Sequence, residues 1–259
     1  MGADMTYVAA AADRVALVTG AARGQGLAIV ERLRRDGVVV VAGDVLTDQL
    51  HEAAARLADP GIFPIALDVT SESSWARAMA AVGEQHGKLN ILINNAGVVE
   101  RASVQESSAE AFERVWRVNC LGPFLGMRAA FPLLKRAEQP AIVNTVSTVA
   151  VRPFPLHAAY ASSKWASRGL SLSAAADFGE HGIRVNAVLP GPVATPMNSP
   201  QAIERLSRAP LLGRIGTAEE IAELVAFLAS PAASYITGAE VVADGGYLLK
   251  PLPAQPAPS

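Results

Sequence analysis

The chain has 259 residues, and its 22 lysines and arginines nearly balance 24 aspartates and glutamates, which leaves a formal charge of −2. Neither sign forms a block, so nucleic-acid binding is excluded, and no apolar run reaches the ~18 uncharged residues of a membrane span. The single cysteine, Cys120, excludes an intramolecular disulfide and a cysteine-clustered metal site. We therefore predict a cytoplasmic protein without a metal.

Short Val/Ile/Leu-rich runs alternate with segments of helical period along the chain. The runs are apolar throughout, which is typical of parallel strands covered on both faces. The sequence predicts one α/β domain over residues 14–250: a Rossmann-like, doubly wound sheet of seven parallel strands with helices on both faces. The predicted strands are Val15–Val18, Val38–Gly43, Ile62–Ala66, Ile91–Asn94, Ala141–Val146, Val185–Leu189 and Glu240–Ala243. The predicted helices are Leu27–Arg35, Leu50–Leu57, Trp75–Gln85, Ala109–Leu134, Ala158–Phe178 and Glu219–Ala229.

Two of these helices begin with the spacing of a capping box, in which Ser107 pairs with Glu110 and Thr217 with Glu220. The two ends of the chain differ from the rest. Residues 1–13 follow no pattern and have no basic region typical of a secretory signal, and residues 251–259 include four prolines in nine. We predict that both ends are mobile.

The first strand leads directly into the segment TGAARGQG at residues 19–26 and then into a helix. The glycines Gly20, Gly24 and Gly26 would let the backbone approach a pyrophosphate, and the helix N-terminus would offer free N–H groups. A tight turn without a ligand is the alternative interpretation.

Asp44 favours the nucleotide interpretation, because it ends the second strand 18 residues past Gly26. A carboxylate at this place accepts hydrogen bonds from the ribose hydroxyls of adenosine and repels a 2′-phosphate. The sequence therefore favours NAD over NADP. Arg23, within the glycine loop, is the opposing signal because it could reach a phosphate.

Two further strand ends carry residues suited to a ligand in the crevice. Asp68, followed by Val69 after the third strand, is placed to bind the adenine amine, although a solvated carboxylate before a helix is an equal alternative. The fourth strand runs into Asn94-Asn95-Ala96-Gly97, where amides and a glycine suit a backbone turned toward a ligand. Taken alone, this segment indicates only a turn.

Tyr160 and Lys164 are four residues apart at the start of a predicted helix, so they share one face. An ammonium group near the phenol would lower its pKa and make it an acid or base near neutral pH. Such pairs are common by chance. Ser147, which follows the fifth strand, is the additional signal because its hydroxyl could reach the same crevice.

These motifs together resemble the single-domain branch of the short-chain dehydrogenase/reductase family from about Arg14 to Tyr247. The resemblance is carried by the glycine segment, residues 94–97, Asn119, Ser147, the YASSK segment at 160–164, and Pro190-Gly191 with Thr195. The strand-final aspartate, Lys164-Trp165 and residues 237–246 are most similar to bacterial NAD-dependent hydroxysteroid and secondary-alcohol dehydrogenases. Gln25 departs from the family, which usually has Ile or Leu between the last two glycines.

The resemblance implies a catalytic set. Tyr160 would exchange a proton with the substrate oxygen, Lys164 would lower its pKa and bind the nicotinamide ribose, and Ser147 would hold the same oxygen. Asn119 would hold a water that links Lys164 to solvent, and residues 190–195 would clamp the nicotinamide. The residues predicted to bind NAD are Gly20, Arg23, Gly24, Gln25, Gly26, Asp44, Asp68, Val69, Asn95, Ala96, Gly97, Tyr160, Lys164, Pro190, Gly191, Val193 and Thr195.

The predicted substrate is an apolar secondary alcohol or ketone, alicyclic or steroid-like, because nearly all side chains expected around it are apolar. These are Val98, Val99, Thr148, Val149, residues 153–156 and residues from Met197 to Leu212, with Arg152 and His157 as polar exceptions. The family also implies a homotetramer or homodimer formed through the two long helices. The alternatives are an NADP-dependent carbonyl or 3-oxoacyl reductase and a non-catalytic nucleotide-sensing module.

Overall fold

The computed structural model describes residues 13–196, 204, 206 and 209–250 of the chain. Both predicted mobile ends lie outside the described residues, apart from Asp13. The strands are β1 (Val15–Thr19), β2 (Val39–Asp44), β3 (Ile62–Ala66), β4 (Ile91–Asn94), β5 (Ala141–Thr145), β6 (Arg184–Pro190) and β7 (Glu240–Ala243). The principal α-helices of the described residues are α1 (Gly24–Arg35), α2 (Thr47–Leu57), α3 (Glu72–His86), α4 (Ala109–Trp116), α5 (Gly122–Leu134), α6 (Ala158–Gly179) and α7 (Ala218–Ala229).

The seven strands form one sheet in the order β3-β2-β1-β4-β5-β6-β7, and every neighbouring pair is parallel. The predicted Rossmann-like sheet is therefore confirmed, with each strand within one residue of its predicted bounds. The chain leaves β1 toward β2 on one side and returns to β4 on the other, so the loops after β1 and β4 diverge. A crevice opens between them at the carboxyl ends of the strands.

The core lies on both faces of the sheet. Ala16 and Val18 of β1 face one apolar cluster, which α1 and α7 cover, whereas Val15 and Leu17 face a second cluster, which α3, α5 and α6 cover. Because both faces are buried, the central strands read as continuous apolar runs.

The segment predicted as one helix over Ala109–Leu134 is interrupted. A π-helical turn, Arg117–Leu121, separates α4 from α5, and its last hydrogen bond runs from the Gly122 N–H to the Arg117 carbonyl. The reason lies in Pro123, which has no N–H to donate to the carbonyl of Asn119 four residues earlier. The interruption sets Asn119 in the wall of the crevice.

One of the two predicted capping boxes is confirmed. The Thr217 hydroxyl accepts the Glu220 N–H while the Glu220 carboxylate accepts the Thr217 N–H. The Ser107–Glu110 capping box is wrong, because Ser108 caps α4 by accepting the Ala111 N–H. The hydroxyl of Ser107 instead donates to Glu100 at 2.7 Å, so a tertiary partner displaces the local one.

Cys120, in the π-helical turn, is a buried free thiol. Across the described part of the chain, no helix is both long and apolar enough to cross a membrane. The same residues contain no group of three or more His, Cys, Asp or Glu side chains arranged to hold a metal ion.

Candidate active site

The glycine segment after β1 forms a tight loop against the start of α1. A Cβ atom at Gly26 would lie 1.9 Å from the Gly20 carbonyl oxygen, so only glycine allows the chain to fold back this closely. Gly20 and Gly24 adopt left-handed φ angles of 67° and 58°. The N-terminus of α1 has no side-chain cap and no acidic residue in its first turn, so its N–H groups remain available to an anion.

Asp44, at the end of β2, is buried beside this loop. One carboxylate oxygen accepts the Ala22 N–H at 2.9 Å and the other accepts the Leu46 N–H at 3.0 Å. These bonds fix the carboxylate between the glycine loop and the loop that leads to α2. Arg23, in contrast, is exposed, and Gln25 is half-buried.

Asp68 lies after β3 at the outer edge of the crevice. It is exposed, and its Oδ1 accepts the N–H and the hydroxyl of Thr70 at 2.9 and 2.8 Å. The carbonyl of the buried Val69 accepts the indole N–H of Trp75 at 3.0 Å. The turn after β3 is thereby anchored to α3.

The loops after β1 and β4 are joined across the switch point of the sheet. The Thr19 hydroxyl oxygen accepts the N–H groups of Asn95 and Ala96, both at 3.0 Å, and the Asn95 amide donates to the Thr19 carbonyl at 3.0 Å. A Cβ atom at Gly97 would lie 3.6 Å from Lys164 Nζ. The β4 loop therefore joins the glycine loop to the lysine of α6.

The segment after β6 closes the other side of the crevice. A Cβ atom at Gly191 would lie 2.6 Å from the Asp244 Cβ, and Val193 pairs with Gly216 as an isolated β-bridge. The Thr195 Cβ is 3.7 Å from the position that a Gly24 Cβ would take. Residues 190–195 therefore run from the end of β6 back to the glycine loop.

Ser147 and Tyr160 meet at the carboxyl end of β5. Ser147 has extended backbone, begins the 3₁₀ turn Thr148–Ala150 and is hydrogen-bonded to the hydroxyl of Tyr160. The Ser147 oxygen also accepts the Val149 N–H at 3.3 Å. One serine and one phenol thus present adjacent hydroxyl groups to the crevice.

Lys164 is buried one helical turn beyond Tyr160. Its Nζ donates to the Thr145 carbonyl at 2.8 Å and lies 5.9 Å from the centroid of the Tyr160 ring. Burial lowers the pKa of Lys164 to about 8, since an ammonium group loses its hydration there. Near neutral pH the side chain still carries its proton.

The pKa of Tyr160 differs from the expectation drawn from the sequence. Burial raises it above its ordinary value, while the hydrogen bond with Ser147 and the charge of Arg101 act in the opposite direction. Lys164 Nζ is held by the Thr145 carbonyl and lies 5.9 Å from the centroid of the Tyr160 ring. In the chain alone the net direction of the Tyr160 pKa is upward, and its lowering by Lys164 stays a prediction.

Asn119 is completely buried beside these groups. Its side chain accepts the Val98 N–H and donates to the Val98 carbonyl, both at 2.9 Å, and donates to the Ser163 hydroxyl at 3.0 Å. The amide thus ties the β4 loop to α6. Its role as holder of a water that links Lys164 to solvent stays a prediction.

The predicted substrate wall is apolar but unevenly exposed. Thr148 and Val149 are buried, whereas Leu211 and Leu212 are exposed, and Met197 lies outside the described residues. Both polar exceptions have partners in the backbone. Arg152 binds backbone carbonyl groups near the C-terminus, and His157 Nδ1 lies 2.7 Å from the Pro155 carbonyl.

Three features of the site escaped the sequence analysis. The Thr145 carbonyl anchors Lys164, the Ser163 hydroxyl binds Asn119, and the charge of Arg101 acts on Tyr160. Ser163 stands inside the YASSK segment, which could have indicated it. The contact of Thr145 with Lys164 and the effect of Arg101 on Tyr160 join residues that are far apart in the sequence, so no local pattern indicates them.

Comparison with known proteins gives consistent matches over nearly the whole chain. A family model described as Enoyl-(Acyl carrier protein) reductase matches residues 20–248. The chain is 38% identical to trans-4-hydroxycyclohexanecarboxylate dehydrogenase of Sinomonas cyclohexanicum, over 91% of this chain and 93% of that protein. It is also 38% identical to 3-alpha-(or 20-beta)-hydroxysteroid dehydrogenase of Mycobacterium bovis, over 90% of this chain and 88% of that protein.

A solved structure agrees with these relatives. The ligand-free aldohexose dehydrogenase of Thermoplasma acidophilum superposes with a TM-score of 0.84 at 30% sequence identity, over 94% of this chain and 97% of that one. The fold and the relatives therefore correspond to one family of dehydrogenases and reductases.

Proposed function

Because the chain belongs to the short-chain dehydrogenase/reductase family, and is thus an oxidoreductase acting on CH–OH groups, we propose that it oxidises apolar, alicyclic secondary alcohols with NAD and reduces the corresponding ketones. The observation that carries the proposal is the grouping of Ser147, Tyr160 and Lys164 beside Gly97 at the mouth of the crevice. Their hydroxyl and amine groups suit proton transfer at an alcohol oxygen.

In this proposal Tyr160 removes the hydroxyl proton of the alcohol, while Ser147 holds the same oxygen by a hydrogen bond. The bond between the two hydroxyl groups supports this, because it lowers the pKa of Tyr160 against the effect of burial. Lys164, anchored on the Thr145 carbonyl, would bind the ribose next to the nicotinamide. NAD, when bound, accepts the hydride from the carbinol carbon.

The residues of the crevice fit a dinucleotide. The close approach of Gly26 to Gly20 and the uncapped N-terminus of α1 suit a pyrophosphate. The buried Asp44, fixed by two N–H groups, supports NAD because a 2′-phosphate would be repelled there. The exposed Arg23 favours the alternative, an NADP-dependent carbonyl or 3-oxoacyl reductase.

The substrate class rests on two supports. The described walls of the pocket are largely apolar, and apolar walls disfavour a sugar, whose hydroxyl groups need partners. Two relatives bear the names of dehydrogenases of trans-4-hydroxycyclohexanecarboxylate and of 3-alpha- or 20-beta-hydroxysteroids. Both names describe secondary alcohols of alicyclic molecules.

We also propose a homodimer or homotetramer formed through α5 and α6. A groove of about 340 Å³ runs between these helices, lined mainly by apolar side chains such as Phe124, Phe131, Leu170 and Phe178. The cytoplasmic location stays a prediction from composition.

The proposed function is tested by mixing the purified protein with NAD or NADP and a panel of cyclic and acyclic secondary alcohols, and following absorbance of the reduced cofactor. We expect turnover of cyclohexanol and cyclopentanol, with NAD preferred. Removing an acid/base group typically lowers kcat by about 10²–10⁴-fold, and Tyr160→Phe should do so while NAD still binds. Binding of NAD without turnover across the panel would favour a nucleotide-sensing module instead.

A further inference from the structure

We infer that Arg152 is a positioning residue, which fixes one wall of the substrate pocket by holding the C-terminal turn, residues 244–250. The inference rests on the proposed function, because it concerns how that pocket accepts its alcohol. Arg152 lies between Ser147 and Tyr160 in the chain, on the loop that joins the two hydroxyl groups of the site.

The guanidinium group of Arg152 binds three backbone carbonyl groups of the C-terminal turn. It donates to Tyr247 at 3.0 Å and to Leu248 and Lys250, both at 3.1 Å. These carbonyls follow or belong to the 3₁₀ turn Tyr247–Leu249. Carbonyl groups at the end of a helical turn are partly negative, so a planar cation with several donors suits them.

Two adjacent aromatic rings lie against the same guanidinium group. The centroid of Phe154 lies 5.5 Å and that of Tyr247 lies 5.6 Å from the Arg152 Cζ, and the two rings are 5.3 Å apart. Phe154 belongs to the predicted substrate wall, whereas Tyr247 belongs to the C-terminal turn. Arg152 therefore joins the two segments by charge, hydrogen bonds and ring contacts together.

The C-terminal turn also reaches the two other segments around the pocket. The Leu212 N–H donates to the Gly245 carbonyl at 3.0 Å, and a Cβ atom at Gly246 would lie 2.8 Å from the Leu211 side chain. At its start, Asp244 packs against Gly191 of the segment that closes the crevice. One short turn thus holds the loop before α6, the loop near residue 211 and the segment after β6.

This arrangement predicts which kinetic constant depends on Arg152. The residue does not touch Tyr160, Ser147 or Lys164 through any described hydrogen bond, so the proton-transfer groups keep their places when it is removed. The apolar walls lose their common anchor. A ring that fills the pocket needs those walls, whereas a small acyclic alcohol makes few contacts with them.

The experiment compares kcat and KM of wild type, Arg152→Met and Arg152→Lys for cyclohexanol and for propan-2-ol with saturating NAD. For Arg152→Met we expect KM for cyclohexanol to rise about tenfold, KM for propan-2-ol about twofold, and kcat to change less than about threefold, the pattern of lost uniform binding. Arg152→Lys, with a point charge in place of the fork, should lie between.

Arg184→Met is the matched control. Arg184 also donates to three backbone carbonyls, those of Leu228, Ser230 and Ile236, but it stands at the opposite end of the sheet, where β6 begins. Its removal should lower the melting temperature without changing the ratio of the two KM values. This control separates loss of stability from loss of positioning.

The outcomes are distinguishable. If wild type oxidises cyclohexanol and the KM ratio of both Arg152 variants equals that of wild type, the inference is overturned and the proposed function stands. If Arg152→Met does not fold, Arg152→Lys alone decides: a ratio of KM for cyclohexanol to KM for propan-2-ol above that of wild type supports the inference, and a ratio equal to that of wild type overturns it. Absence of turnover by wild type with both alcohols would overturn the proposed function and this inference with it.

Discussion

The two ends of the crevice, the nucleotide end and the catalytic end, use different parts of the residues that form them. The nucleotide end relies on backbone: Gly26 is folded against Gly20, α1 presents the N–H groups of its N-terminus, and Asp44 accepts the Ala22 N–H. The catalytic end relies on side chains, of which Lys164 is buried and Tyr160 half-buried, and burial shifts the pKa of both. Backbone contacts tolerate almost no added atom, whereas buried polar side chains oppose the stability of the fold.

The largest expected effect tests the backbone end. Gly26→Ala places a methyl group where 1.9 Å separates it from the Gly20 oxygen, so the loop must shift. Overpacking costs about 1–3 kcal/mol, which corresponds to a weakening of NAD binding of up to about a hundredfold, measured by calorimetric titration. Gly83→Ala in α3 is the control, because its added methyl group would meet only the Leu133 side chain of α5, at 3.6 Å. If Gly26→Ala binds NAD as tightly as wild type, the nucleotide end does not depend on the close packing of Gly26 against Gly20.

The next effect tests the catalytic end through stability. Burial lowers the pKa of Lys164 from an ordinary 10.5 to about 8, which costs the fold about 3 kcal/mol at 1.36 kcal/mol per unit. Below pH 8, Lys164 is protonated in both the folded and the unfolded chain, so the full cost of burying its ammonium group applies. Between about pH 8 and 10.5 the folded chain releases its proton while the unfolded chain keeps it, so wild-type stability gains as pH rises.

Lys164→Met should therefore raise the free energy of unfolding at pH 7 by about 2 kcal/mol, after about 1 kcal/mol is subtracted for the lost bond to the Thr145 carbonyl. Urea unfolding at pH 7 and pH 9.5 measures it, and the gain over wild type should shrink at the higher pH. Turnover should be lost. A gain that stays constant with pH would show that the buried ammonium is not its cause.

A smaller effect concerns cofactor choice. Asp44→Ala should weaken NAD binding about tenfold and reduce the preference for NAD over NADP, since one charge-assisted contact is removed. Because Asp44 also accepts the Ala22 N–H, part of the loss reflects a looser loop. Asp48→Ala, which removes an exposed carboxylate from the first turn of α2, controls for charge. Wild type that prefers NADP would contradict the interpretation of Asp44.

The smallest effect is a shift along the pH axis. The hydrogen bond with Ser147 lowers the pKa of Tyr160, so Ser147→Ala should move the rising limb of kcat/KM for alcohol oxidation to higher pH. The direction follows because the base must lose its proton before it can accept another. Ser162→Ala is the control, since that hydroxyl donates to the carbonyls of Ala158 and Ala159 within α6. If the rising limb of kcat/KM stays at the same pH in Ser147→Ala, Ser147 does not lower the pKa of Tyr160.

The sheet was predictable because its central strands are buried on both faces, and a continuous apolar run such as Val15–Thr19 indicates that burial locally. The glycine loop was also predictable locally, because its glycines and the start of α1 are separated by only a few residues in the sequence. The break in the helix after Ala109 was not predicted, although Pro123 contains its cause. The cap predicted at Ser107 lies at Ser108 instead, because the Ser107 hydroxyl binds Glu100 across a loop.

The candidate site divides in the same way. Tyr160 and Lys164 could be paired from their spacing alone, because four residues make one helical turn. The raised pKa of Tyr160 could not, since it depends on how much of the molecule closes over the phenol. The contacts of Arg152 with the C-terminal turn join positions 95 to 98 residues apart, and no local pattern predicts such a crossing.

By itself, the sequence determined the order of strands and helices, the glycine loop and the identities of the groups at the crevice, because periodicity and short spacings encode local geometry. The tertiary structure alone decided which of those groups are buried, what holds each of them and in which direction their pKa values move. The physical reason is that desolvation and hydrogen bonding depend on everything packed around a side chain, which is assembled from distant parts of the chain.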